Sequence, residues 1–371
     1  MNPYETQGPV PPSTEGPKKS WYSKLRSELA RRKYLYIALG TILLVGGGLL
    51  AMLVSYKEPA LVTNVFVKPK PKPAPKFYSP LTGVQVADEN ATKRHVTAIM
   101  IENSPDARPQ SGLKDAGIVY EAIAEGGITR FIALYQEARP GLIGPVRSVR
   151  PYYVEWAAGY DAAVAHIGGS ANALTMIRSG NYGLDIDQFF NAGAYWRASD
   201  RYAPHNVYTN FDRLDALVAS KGKTTSTFTG FARKEDAKSK EPNATSINIS
   251  VSSGTYNVGY TYDAASNSYA RSLGGEAHTD REGGQIQPKV AIALRVENTT
   301  VFEDGYRQSY KVIGSGDAYV FQDGTVREVT WTKADAKSPL QLVEAGGKPV
   351  ALNRGQTWIT AVAPGKAITW Q

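Results

Sequence analysis

The chain has no cysteine and only 4 histidines in 371 residues. Without thiols there is no disulfide framework, no zinc–thiolate site, no thiol nucleophile and no lipid attached through cysteine. With so few histidines, no H-E-x-x-H motif and no EF-hand loop, neither a metal nor a cofactor is expected. Most of the chain also lacks an excess of charge. The formal net charge of +8 comes from 7 basic against 3 acidic residues in 1–33 and 5 against 1 in 57–76, whereas from Phe77 onward the two signs balance at 30 each. That balance leaves no electrostatic footprint for a polyanion, so nucleic acid is not an expected partner. A hydrophobic fraction of 42% is too high for a disordered chain, and the length accommodates about two folded domains.

One long hydrophobic run is present. YLYIALGTILLVGGGLLAMLVSY (34–56) carries no charge and is bounded by Lys33 and Lys57. At about 1.5 Å per residue it spans about 34 Å, enough to cross a bilayer and too long for the core of a cleaved signal peptide. Lys24, Arg26, Arg31, Arg32 and Lys33 precede it, whereas Lys57-Glu58 follows. The positive-inside rule therefore predicts a single-pass plasma-membrane helix with a cytoplasmic N-terminus and everything after residue 56 extracytoplasmic. Residues 1–33 read as a basic, disordered tail. Residues 57–78, with KPKPKPAPK (68–76), read as a stiff Pro/Lys tether.

The remainder falls into two halves. In residues 79–222, strand-like runs (96–101, 118–125, 128–137, 161–167) alternate with helical ones (151–160, 171–178, 211–220), as in an α/β-type domain with a mixed sheet. Ser111 is expected to cap a short helical turn. Residues 223–371 carry period-2 runs at 245–251, 256–263, 268–273, 288–296, 309–321, 325–331 and 357–362, with turns such as Asp304-Gly305, Asp323-Gly324 and Gly346-Gly347. The expected fold is α+β: a transmembrane helix, an α/β-type domain, then a β-rich C-terminal domain.

Three constellations are candidates for chemistry. A two-residue turn at Gly126-Gly127 would pair Glu125 with Ile128, Ile123 with Arg130 and Glu121 with Ile132, so that Glu121, Glu125 and Arg130 share one face. Such a trio fits a site with Glu121 or Glu125 as acid/base, and fits equally a salt bridge that stiffens the hairpin. Arg108, Arg147, Arg150, Arg197 and Arg201 lie in loops of a region, residues 77–220, that uses arginine 10 times and lysine twice, which suits bidentate anion binding or internal ion pairing. His166-Ile-Gly-Gly-Ser170 joins a strand to a helix, and His205-Asn206 follows later. Ser170 reads mainly as an N-cap, and a Ser170/His205 nucleophile pair has no marked third member.

The segments SPLTGV (79–84), IENSPDARPQSGL (101–113), IVYEAIAEGGITRFIALYQ (118–136), IGPVRSVRPYYVEWA (143–157), HIGGS (166–170) and APHNVYTN (203–210) resemble the YerB-like family of bacterial membrane-attached proteins. So do YTYDAASNSYARSLGGEAHTD (260–280) and LNRGQTWITAVAP (352–364). The resemblance covers nearly all of 79–364 and implies a two-domain ectodomain on the envelope side, but no reaction. Family members are often lipoproteins, whereas this chain has no cysteine and a hydrophobic helix instead. The expected function is binding of an anionic or peptide-bearing envelope ligand. The alternatives are an envelope-polymer hydrolase or transferase and a scaffold for membrane-protein partners.

Overall fold

A computed structural model of the protein describes residues 19–55, 75–302 and 306–371. The expectations for residues 1–18, for most of the Pro/Lys tether and for the Asp304-Gly305 turn fall outside these. The chain forms two compact units, Met1–Pro73 and Ala74–Gln371. In the first, helix α1 (Lys19–Ser55) begins well before the apolar run, and its Leu25–Ser55 stretch is long and apolar enough to cross a membrane.

The second unit, in chain order, consists of β1 (Thr97–Glu102), β2 (Ile118–Glu125), β3 (Ile128–Tyr135), α2 (Pro151–Ala158), β4 (Ala163–His166), α3 (Ala171–Arg178), β5 (Leu184–Asp187), α4 (Phe211–Ser220), β6 (Ser246–Ile249), β7 (Val258–Asp263), β8 (Ser268–Leu273), β9 (Glu276–Ala277), β10 (Val290–Arg295), β11 (Gly314–Gln322), β12 (Thr325–Lys333), β13 (Gln341–Val343), β14 (Thr357–Val362) and β15 (Ile368–Trp370), with shorter pieces between. Local rules account for many of the boundaries. Pro151 opens α2, where its missing N–H costs nothing. The Asn210 side chain accepts from the Arg213 N–H to cap α4. Gly126 and Gly127 both have positive φ, as a tight hairpin turn requires. Two expectations change. The turn after Ser111 is a single 3-10 turn, Leu113–Asp115, that starts from Gly112 in a left-handed conformation. The 309–321 run breaks into Arg307–Tyr310 and β11 at Gly314.

A single mixed sheet in the order β13-β12-β11-β10-β14-β2-β3-β1-β4-β5 crosses both halves, and β9-β8-β7-β6-β15 form a second sheet. The halves join where β14 pairs in parallel with β2, placing Thr360 opposite Glu121. β1, β4 and β5 run parallel, so Glu102, His166 and Asp187 all stand at their carboxyl edge. In sheets with helices packed on them this edge is where ligands bind. The strands here are near-continuous apolar runs because both faces are covered; β1 is buried at every residue.

Candidate functional site

The hairpin register is decided by one extra residue. Glu125 pairs with Ile128, but a bulge at Ala124 shifts the ladder so that Ile123 faces Thr129, Ala122 faces Arg130 and Glu121 faces Phe131. The expected single face is therefore split: Glu125 and Arg130 stay together, and Glu121 points to the other side. On one face Glu125 bridges Arg130 and Arg150, each at 2.5 Å, and the Arg130 guanidinium also donates to the Ser148 carbonyl. Burial pushes the Glu125 carboxyl up, but the attraction and hydrogen bonds of the two arginines together outweigh it and hold the group below its usual range. With Arg130 and Arg150 almost wholly enclosed, this trio is a structural clamp between the hairpin and the start of α2.

On the opposite face Glu121 is wholly buried and meets the wholly buried Arg271 of β8 at 2.6 Å. Thr129 Oγ1, Trp358 Nε1 and Thr360 Oγ1 also donate to the Glu121 carboxylate. Arg271 lies over the Trp358 ring, 4.2 Å from its centroid, and donates to His278 Nδ1. The other ring nitrogen of His278 therefore carries the proton it shares with Gln110 Oε1 at 3.1 Å. Burial, and then the cations Arg271 and Arg108, push the His278 pKa far down, so the ring is neutral. Every oxygen of Glu121 is engaged by donors, so neither hairpin carboxylate is free to act as an acid/base.

The network continues to a cavity of about 440 Å³ lined by Arg108, Thr255, Leu273, Gly274, Glu276 and His278. Arg108 donates to Asn103 Oδ1 and to the carbonyls of Asn103 and Thr255, and it lies 5.1 Å from the Tyr256 ring centroid. All these oxygen partners are neutral amides. Burial is the main influence lowering the Arg108 pKa, offset only in part by Tyr256 and Glu121: folding removes water from this cation without giving it a hydrogen-bonded carboxylate. Exposed Glu276 stands on the same cavity's wall.

A second cluster lies at the carboxyl end of β1. Glu102 Oε1 accepts from Ser104 Oγ at 3.0 Å and lies 3.0 Å from His205 Nδ1 and 3.3 Å from Arg147 Nε. Glu102 Oε2 is buried without a hydrogen-bond partner. His205 Nε2 lies 3.9 Å from Asp106 Oδ2, beyond hydrogen-bond distance. This arrangement corrects the Ser170/His205 pairing, because the serine beside His205 is Ser104, at 3.3 Å. Ser170 does stand at the N-cap of α3, but it makes no capping bond, and its hydroxyl is buried without a partner. His166, wholly buried, has one ring nitrogen on the Gly168 carbonyl and the other on Asp185 at 3.0 Å; it organises the edge of the sheet. Arg201 ties its loop to the carbonyls of Asp106 and Pro109. Arg197 donates to Asn206 Oδ1 and lines a separate cavity of about 330 Å³ with Trp196, Tyr208 and Arg281.

Residues 81–225 match the family described as "Protein of unknown function (DUF3048) N-terminal domain", and residues 247–359 match its C-terminal domain. The chain belongs to the DUF3048 family. A Bacillus subtilis (strain 168) member named "Putative lipoprotein YerB" is 35% identical over 300 residues, covering 79% of this chain and 88% of the relative. The crystal structure of the Bacillus subtilis YerB protein matches with a TM-score of 0.71 at 31% identity, over 79% of this chain and all of that one. The YerB-like resemblance thus holds in sequence and in fold. A relative named for lipid attachment and an apolar helix at the start of this DUF3048 chain together point to membrane association.

Local sequence pattern alone does not mark Glu102, Asn103, Gln110, Arg271, His278 and Trp358 as site residues of this DUF3048 member. Glu102 and Asn103 do sit in the motif IENSPDARPQSGL beside Arg108, a dense polar stretch directly after an apolar strand. Nothing local to Arg271 or Trp358 marks them, since their partners lie in the other half of the chain.

Proposed function

We propose that this is a single-pass membrane protein with a cytoplasmic N-terminus, whose extracytoplasmic unit binds an anionic or peptide-bearing ligand of the cell envelope. The observation that carries the reading is Arg108, a half-buried cation on a cavity wall with only amide oxygens for partners. An incoming carboxylate or phosphate would supply a directly bonded counter-charge, and Glu276, which lines the same cavity, suits an ammonium group on the same molecule. A peptide carrying both charges satisfies both residues. Arg147, only partly exposed and 3.3 Å from Glu102 Oε1 through Nε, is a second cation at the carboxyl edge of the sheet that an anionic group could engage.

The test is calorimetric titration of the detergent-solubilised full chain with soluble muropeptides. A charge-assisted hydrogen bond contributes about 1.5–3 kcal/mol, so Arg108→Ala should weaken binding about 10- to 100-fold. Arg139→Ala, whose guanidinium is paired with Asp215, should leave it unchanged. Equal affinity in the parent and in both Arg108→Ala and Arg147→Ala would remove the assignment. A second reading, hydrolysis or transfer on an envelope polymer, moves from Glu121 and Glu125 to Glu102 and His205: a carboxylate on Nδ1 with Nε2 left unbonded is the arrangement of a general base. New product masses that disappear in His205→Gln would favour that reading.

A further inference from the structure

Nearly every large apolar side chain of the second unit is covered. Among its described residues the exposed ones are Phe189, Phe190, Tyr202 and Tyr306, and the two phenylalanines, at 68% and 71% exposure, are adjacent. They sit on a turn directly after β5, and the turn is firmly built. Phe190 N–H donates to the Asp187 carbonyl, Asn191 N–H to the Gln188 carbonyl, and Phe189 N–H to Asp187 Oδ1. Asp187 is itself wholly buried, accepting from the Gly168 N–H and from Arg178. The backbone is therefore fixed by polar bonds while two rings stay in water, an arrangement the hydrophobic effect opposes unless another apolar phase receives them.

We propose that the Phe189–Phe190 turn is a lipid-docking tip that inserts both rings into the outer part of a bilayer. Two rings are far too small a patch for a stable protein interface, which needs about 800 Å² from each partner. A bilayer makes no such demand. The same chain carries a helix of bilayer-crossing length ending at Ser55, and the described part of the second unit resumes at Pro75. The intervening 19 residues (56–74) reach at most about 65 Å when fully extended, so the second unit stays tethered to any bilayer that the helix crosses. The Arg178 guanidinium lies 5.0 Å from the Phe190 ring centroid, and its side chain is 41% exposed beyond its pairing with Asp185 and Asp187. A cation at the base of an apolar tip stands where phosphate headgroups would meet it.

The absence of cysteine makes the test direct, because any introduced thiol is the sole labelling site. The full chain is reconstituted into nanodiscs of phosphatidylglycerol and phosphatidylcholine, with a spin label at Ala192→Cys beside the tip. A control label is placed at Lys221→Cys, exposed after α4 near the amino end of β1. Docking predicts several-fold lower collision with a water-soluble nickel chelate, and higher collision with oxygen, at 192 than at 221. Phe189→Ser/Phe190→Ser should abolish the difference, as should Phe190→Ser alone in large part, with unchanged circular-dichroism melts. Equal nickel accessibility at the two sites in the parent would overturn the proposal. So would dipolar broadening at 192 without nickel protection, which would mean that the tip packs on a second copy.

Discussion

Replacing Arg271 by Met tests whether the Glu121–Arg271 pair joins the two halves. The pair links the central strand β2 to β8 of the second sheet, with both side chains wholly buried. Removing the guanidinium leaves Glu121 with three neutral donors, Thr129, Trp358 and Thr360, and an uncompensated charge in a low-dielectric interior. His278 simultaneously loses the donor to Nδ1. Breaking a buried ion pair costs about 3–5 kcal/mol. At about 2.1 cal/mol/K per residue, a unit of roughly 300 residues has an unfolding entropy near 0.6 kcal/mol/K, so Tm should fall by about 5–8 °C. The assay is differential scanning calorimetry of the full chain, run as a double-mutant cycle with Glu121→Gln. The double variant has no orphaned charge and should recover about half or more of the loss, because the penalty comes from the unpaired ion more than from the missing bridge. A cost below about 1 kcal/mol for Arg271→Met, or strict additivity in the cycle, would refute the reasoning.

Three further outcomes follow from the buried titratable groups. The Glu125 carboxyl, held low by Arg130 and Arg150 against the effect of burial, contributes stability that is present above its unfolded value and lost as pH falls through its depressed one. Urea midpoints from pH 3 to 6 should therefore rise less steeply in Glu125→Gln than in the parent. Burial raises the phenols of Tyr120, Tyr152 and Tyr153 well above their usual 10. Their contribution is intact below about pH 10 and is lost above it as only the unfolded chain ionises, so phenolate absorbance at 295 nm should appear for these groups in step with loss of near-ultraviolet dichroism. Burial lowers Lys333 to about 8, with its ammonium held by the carbonyls of Ala336 and Ser338. Between that value and 10.5 the unfolded chain binds the extra proton, so from pH 7.5 to 9.5 the parent should gain stability relative to Lys333→Met; a flat difference in Tm would show that the group does not titrate there.

The hairpin shows how far local reading goes. The Gly-Gly turn, both strands and the Glu125–Ile128 pair follow from residues within a few positions of one another. The bulge at Ala124 does not, because it reconciles the hairpin with neighbours from far along the chain: β14 on one side of β2 and Arg307 opposite Glu125. That single residue sends Glu121 toward Arg271, 150 positions away. The arginine-rich loops teach the same lesson. Composition marks Arg108, Arg147 and Arg150 as equivalent, yet Arg150 is locked on Glu125 beside Arg130 of the hairpin, while Arg108 faces a cavity with only amides as hydrogen-bond partners.

By itself the sequence determined the apolar helix, the order and type of most strands and helices, their caps and turns, and the family. Each of these depends on periodicity, capping or turn chemistry over a few neighbouring residues. Only the tertiary structure decided that one sheet runs through both halves, on which face each carboxylate lies, which cations are neutralised and which phenylalanines remain in water. Glu125 meets Arg150 from 25 positions away and Glu121 meets Arg271 from 150, and a pattern over a few neighbouring residues does not encode partners that distant.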